Sequence, residues 1–350
     1  MTMIINRRPL ITAIGLGAVG AAFGRSAGAA DKSGVVAYPT AETMYQAQFV
    51  AFTKGFFKEA GLDCKMIQGG SGVKMRELVA AGQADIGIGD ITHPMQLSNH
   101  GRNARVFMPV DIRNSGVVFI IRKDLKDQGI DTLQKFAAWK RPDGSKPILS
   151  VSSLGGTNHV WGSYYMELFK LDQAVTWLAV GTVDTMLGSL KSKQVDVLIN
   201  VYQLLADAEE HGWGAMLFDG SSEENWNKYI GGKVPATAHF TLKSTIDADP
   251  QKMQAYVTAL WRATQWVKAH SPEEILDAIE PFVGSTSRTA NLAGIALMKS
   301  ITDYDGIIDP ASYERGSKVW FRELTGIKPI PMNDIIVTDF IMAAKKAYPA

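Results

Sequence analysis

The chain has 350 residues, 46% hydrophobic and 20% charged, with a formal net charge of +1 at pH 7. That length and balance are ordinary for a soluble globular protein of two domains or one two-lobed fold, with a core that needs no disulfide staples. Positions 1–29 hold Arg7, Arg8 and Arg25 and no acid, so 33 of the 36 basic residues remain against 35 acidic ones. No basic stripe interleaved with aromatics is present, which excludes nucleic acid as a partner.

Residues 1–29 form an export signal. Arg7-Arg8 precede an apolar run from Pro9 to Phe23, and Ala27-Gly28-Ala29 supplies a small-residue cleavage site. The paired arginines resemble a twin-arginine signal, although Pro9, Leu10 and Ile11 depart from its usual continuation, and ordinary secretion or an uncleaved anchor are the alternatives. A lipoprotein anchor needs a cysteine at the cleavage point, and the single cysteine, Cys64, lies far downstream. One cysteine makes no intramolecular disulfide; between Asp63 and Lys65 in an expected strand, Cys64 reads as a small half-buried hydrophobe. No later stretch offers 18 uninterrupted apolar residues, so no mature transmembrane helix is expected.

Short apolar runs predict strands at 35–38, 64–67, 85–89, 106–112, 117–122, 148–152, 175–180 and 195–201, with helical patterns between most of them, then runs at 215–219 and 236–242. The alternation argues for doubly wound, mostly parallel sheets. An amphipathic segment ending in GFFKEAGL leads into the second strand. Gly69-Gly70-Ser71-Gly72 opens a helix through Leu78 that Gly82 stops. From Asp249 onward the chain reads as helix. Asp249-Pro250 starts one that buries Met253, Val257, Leu260, Trp261, Thr264 and Val267 at a 3.6-residue period. Ser271-Pro272-Glu273-Glu274 is a capping box, and further helices are expected near 287–304, 309–325 and 333–347.

The segments KGFFKEAGLD and AAGQADIGIGD, with a fainter match in 150–205 and in DADPQKMQAYVTALWRATQWVKAHSPEEI, resemble the periplasmic solute-binding proteins of nitrate, taurine, sulfonate and thiamine-pyrimidine-precursor importers. The resemblance implies the two-lobed α/β fold known as type 2 periplasmic binding, with extra C-terminal helices. Lobe one would hold 34–116 plus 220–350 and lobe two 117–219. The chain would cross at Arg113-Asn114-Ser115-Gly116 and Asp219-Gly220-Ser221, small residues suited to a hinge.

In open α/β sheets ligands sit beyond the carboxyl ends of the strands. The loops there present Thr40, Glu42, Gly70, Ser71, Thr92, His93, Thr157, Asn158, Asn200 and Tyr202 as candidate ligand-binding residues. Free N–H groups at the helix starts after Gly70 and Gly156 would dock an anion or a carbonyl oxygen, the family likeness favouring the Thr157 loop. Tyr38, Tyr45, Trp161, Tyr164 and Tyr202 lie near the expected cleft edges, Tyr202 foremost. Asp184 reads as a helix cap, and Arg113, His93 and His159 are the candidate cations against Glu42, Asp90 and Asp184. This balance disfavours a naked inorganic anion and leaves a zwitterionic sulfonate or a nitrogen-rich ring.

Phosphate-loop, nucleophile-elbow and dinucleotide spacings are absent, as is metal-ligand spacing among the six histidines. The eukaryotic pyrimidine-synthase relatives carry a cysteine cluster that this chain lacks. No catalytic residue, metal or cofactor is therefore expected. The expected function is a monomeric periplasmic receptor that closes on a small-molecule ligand and delivers it to the membrane permease of an ABC importer. A sensor partner of a membrane signalling protein and an exported enzyme are the alternatives.

Overall fold

The computed structural model describes residues 32–283 and 286–349; the export segment lies outside them. Ten strands fall where the apolar runs lie. They are β1 Lys32–Tyr38, β2 Leu62–Gln68, β3 Ile86–Asp90, β4 Ala104–Pro109, β5 Val118–Arg122, β6 Ile148–Val151, β7 Thr176–Ala179, β8 Val197–Asn200, β9 Gly214–Asp219 and β10 Thr237–Leu242.

They form two five-stranded sheets, ordered β2-β1-β3-β10-β4 and β7-β6-β8-β5-β9. Each is mostly parallel with one antiparallel member. Strand β10 runs against both β3 and β4, and β5 against both β8 and β9. The two α/β lobes follow from this arrangement, joined where the chain passes from β4 to β5 and returns from β9 to β10.

Local chemistry explains the first lobe's tight packing. Strand β3 reads IGIGD and is buried throughout. A Cβ at Gly87 would stand 2.6 Å from Phe240 and 2.8 Å from the Met75 sulfur, and one at Gly89 would stand 2.6 Å from Met75 Cε. The two glycines let Met75 of the helix Gly72–Ala80 and Phe240 of β10 pack directly against the β3 backbone. That helix starts at Ser71, whose hydroxyl accepts from Lys74 N at 3.3 Å.

The long helix Pro250–Ala269 buries all six residues expected of it, and Asp249 caps it by accepting from Lys252 N at 2.9 Å. The capping box at Ser271 is formed in both directions.

Two expectations need correction. The segment before GFFKEAGL is not amphipathic. The helix Gln46–Thr53 buries Gln46, Gln48, Phe49, Val50 and Ala51, residues on most of its circumference, because it lies between the helices Pro250–Ala269 and Pro272–Ile279. The expected helix over 333–347 is broken into Met332–Ile335 and Asp339–Ala347. Between them Ile336 bridges Val106, and Val337 N donates to Val106 O at 2.8 Å, so the β-branched run extends the first sheet instead.

The C-terminal helices touch both lobes. The helix Arg288–Ile301 packs on the helix Tyr202–Glu210 that follows β8. Arg322 donates to Val160 O at 2.6 Å and Ser163 Oγ at 3.1 Å on the helix Thr157–Leu168.

Candidate functional site

The carboxyl ends of β1 and β3 in the first lobe face those of β6 and β8 in the second. Between them lies a small cavity lined by Pro39, Thr40, Glu42, Tyr45, Thr157 and Asn158, among others. It offers about 20 Å³ to water centres, room for one or two waters at roughly 10–15 Å³ each. The lobes are therefore shut against one another in this conformation.

Each lobe contributes complementary chemistry. Glu42 follows β1 through a tight turn in which its N–H donates to Thr40 O at 3.0 Å. Glu42 is 4% exposed, and burial pushes its carboxyl up to about 7 despite hydrogen bonds directed at it by the Thr40 and Asn200 side chains. Asn200 ends β8, so this contact spans the two lobes. Asp90 ends β3 and accepts from Thr92 N at 2.8 Å, from Thr92 Oγ1 at 2.5 Å and, across the cleft, from Trp161 Nε1 at 3.1 Å. Burial raises it to about 6.

Asp111, just past β4, accepts from Ala236 N at 2.8 Å and Thr237 N at 3.1 Å. Burial raises it to about 7, and its Oδ2 has no partner among the described residues. The Tyr45 phenol is held well above its ordinary range by burial and then by the negative field of Glu42, with Asp111 and Asp90 adding to it.

The remaining candidates are spread around this centre. Thr40, Glu42, Thr157 and Asn158 line the cavity itself. Asn158 Nδ2 also donates to Gly116 O at 2.9 Å, tying the helix Thr157–Leu168 to the chain crossing. Gly70, at φ +82, approaches Thr182 Cγ2 of the other lobe, and only a left-handed residue fits that turn. Thr92 serves Asp90, and Ser71 serves its own helix.

His93 is sealed behind Gly72, where an added Cβ would stand 2.6 Å from its Nε2. Burial, then the charge of Arg76, pushes His93 down to about 3, so it is neutral and is not a cation of the site. Tyr202 is drawn away from the cavity, its hydroxyl donating to Asp219 beside the second crossing. Arg113 stands 3.7 Å from the exposed Glu223 and does not line the cavity.

Sequence reasoning missed Asp111 as a cleft residue; it placed Tyr45 at the cleft edge, Asp90 among the cleft acids and Gly116 at a crossing, without counting them as ligand-binding residues. Asp111 was hidden inside an expected strand that ends two residues earlier. A buried-looking strand run ending in an acid, as in Val110-Asp111, was the available signal.

This architecture, two α/β lobes joined by two crossings with strand ends facing across a cleft, is the periplasmic binding protein fold. The chain belongs to the NMT1-like family, whose model matches residues 31–280. It is similar to YtlA of Bacillus subtilis, provisionally described as a binding protein, with 23% identity over 317 residues and 86% of each chain covered. A solved structure from Bordetella bronchiseptica RB50 superposes with a TM-score of 0.77 at 22% identity, over 91% of this chain and 98% of that one. The alkanesulfonate-binding protein SsuA of Xanthomonas axonopodis pv. citri superposes with a TM-score of 0.69 at 11% identity, over 89% and 100%.

Proposed function

We propose that the protein is the periplasmic substrate-binding component of an ABC importer, capturing a small polar organic solute between lobes 34–116 plus 220–350 and 117–219. The observation that carries this reading is the cleft's charge pattern. Glu42 lines the cavity and, with Asp90 and Asp111, is buried around Tyr45, and among the described residues no lysine or arginine lines the cavity. Buried carboxylates held by hydrogen bonds alone, with no neighbouring cation, are costly to ionise, and a ligand that brings N–H donors or a positive charge relieves that cost.

A nitrogen-rich ring such as a pyrimidine, or the ammonium end of a taurine-like zwitterion, meets this demand. Nitrate alone does not. Thr157 and Asn158 would hold the ligand from lobe two. Closure about the crossings near Gly116 and Gly220 would exclude water, the driving force being the ligand's higher affinity for the closed state. The closed monomer would then dock on a membrane permease. Binding and release need no covalent chemistry.

The test is thermal melting of the mature protein against pyrimidines, taurine, alkanesulfonates and nitrate. A true ligand at 100 times its Kd adds about 2.7 kcal/mol of stability. Donor-bearing compounds are expected to raise the Tm without being consumed. Stabilisation by nitrate alone, or turnover of the ligand, would overturn the proposal.

A further inference from the structure

The two loops that line the inner cavity also line a second, outer space. Beside Gly72 of the cavity stand Val73 and Arg76, and between Ser152 and Thr157 stand Leu154 and Gly155. With His100 and Arg102, these residues form a groove of about 480 Å³, within the range of roughly 300–1,000 Å³ common to small-molecule sites. Residues 325–327 close its third side, held there by Lys328 N donating to Asn99 Oδ1 at 2.7 Å.

The charge of this groove is opposite to that of the cavity. Arg76 is half-buried and forms no hydrogen bond or ion pair with any described residue, and burial lowers its guanidinium from the ordinary value. Its acidic neighbour, Glu77, is exposed; its charge partly offsets that lowering, without an ion-pair contact. By contrast Arg102 is engaged, donating to Ala80 O at the end of the same helix, and His100 Nδ1 lies 2.7 Å from Gln96 O. A half-buried guanidinium with five unused donors is matched by a planar or tetrahedral oxoanion.

We infer that the Arg76 groove is an anion subsite at the mouth of the cleft, taking a carboxylate, sulfonate or phosphate group. Together with the acidic inner chamber it would select solutes of split polarity, a donor-rich head inward and an anionic group outward. That selectivity rests on the solute-binding reading above. The anion subsite itself does not.

Isothermal titration calorimetry with sodium sulfate replacing sodium chloride at fixed ionic strength tests the groove alone. The wild type and the control Arg288→Gln, an exposed arginine elsewhere, are expected to bind saturably. Arg76→Gln should bind roughly 10-fold more weakly or worse, the loss of a charge-assisted hydrogen bond, and Arg76→Lys should recover part of the affinity. Unaltered melting of Arg76→Gln in chloride shows that it folds.

No saturable sulfate binding by the wild type, or equal binding by Arg76→Gln, overturns the subsite. Taurine that displaces sulfate makes the occupant the anionic end of a solute. Sulfate binding that taurine leaves undisturbed makes it a free anion, and both results uphold the site. If no organic compound stabilises the protein while sulfate still titrates against Arg76, it is the importer reading that fails.

Discussion

Glu42 illustrates how burial turns an ordinary residue into a responsive one. Its folded pKa, about 7, stands above the unfolded carboxylate value, so folding favours its protonated form. The stability it contributes is fully present below the unfolded pKa and is lost as pH rises through about 7. His93 and His239 act in the opposite sense, since burial lowers both to about 3 and their contribution fades as pH falls below the ordinary histidine range. Because these opposing groups mask one another in the wild type, the difference between wild type and Glu42→Gln isolates the carboxylate. Relative to wild type, Glu42→Gln should gain stability from pH 5 to pH 7, by on the order of 2–3 kcal/mol, and gain nothing further above pH 8. Chemical denaturation across that range measures it, and a difference that does not change with pH would show that Glu42 ionises freely.

Among the elements, the helix Arg288–Ile301 does most to hold the lobes together. It meets the helix Tyr202–Glu210 at Gly294, where a Cβ would stand 2.3 Å from Thr43 Oγ1 and 3.0 Å from Gln203 Cβ. Three segments thus converge where only glycine fits. Gly294→Val should cost about 1–3 kcal/mol through overpacking and weaken ligand binding by propping the lobes apart. Urea unfolding together with a ligand titration distinguishes this from simple instability, because a variant that melts lower yet binds normally would deny the helix its part in closure. The same junction shows why some elements were readable and others not. Helix starts such as Asp249-Pro250 and Ser271-Pro272 are written in adjacent residues, whereas the break after Ile335 depends on Val106, a partner remote in sequence.

On the scale of the whole molecule, the apolar packing that the two lobes share is supplemented by a few polar bonds between them. Gln203 is their hub. It accepts from Thr43 N at 3.0 Å and donates to Thr286 Oγ1 and Asn291 Oδ1, each at 2.7 Å. Gln203→Ala leaves Thr43 N buried and unpaired, at about 1–3 kcal/mol for the unsatisfied group, while Thr286 Oγ1 and Asn291 Oδ1 keep their mutual bond at 2.8 Å, and the open form, whose groups reach water, escapes that cost. The variant should therefore show a larger radius of gyration than wild type in small-angle scattering without ligand, and the two should converge when ligand is saturating. Identical radii without ligand would mean that the hub does not set the open–closed balance.

The sequence by itself determined the ten strands, the caps of the long helices, the two-lobed α/β class and four of the cavity-lining residues, Thr40, Glu42, Thr157 and Asn158. The strands and caps follow from periodicity and turn chemistry, which act between near neighbours, and the two-lobed class and the Thr157 loop from the family resemblance. Only the tertiary structure decided that β10 inserts between β3 and β4, that His93 is sealed behind Gly72 and that Tyr202 turns to Asp219. It alone gathered Glu42, Asp90 and Asp111 around one phenol. Burial and field depend on what distant segments bring into contact, and no local pattern encodes that.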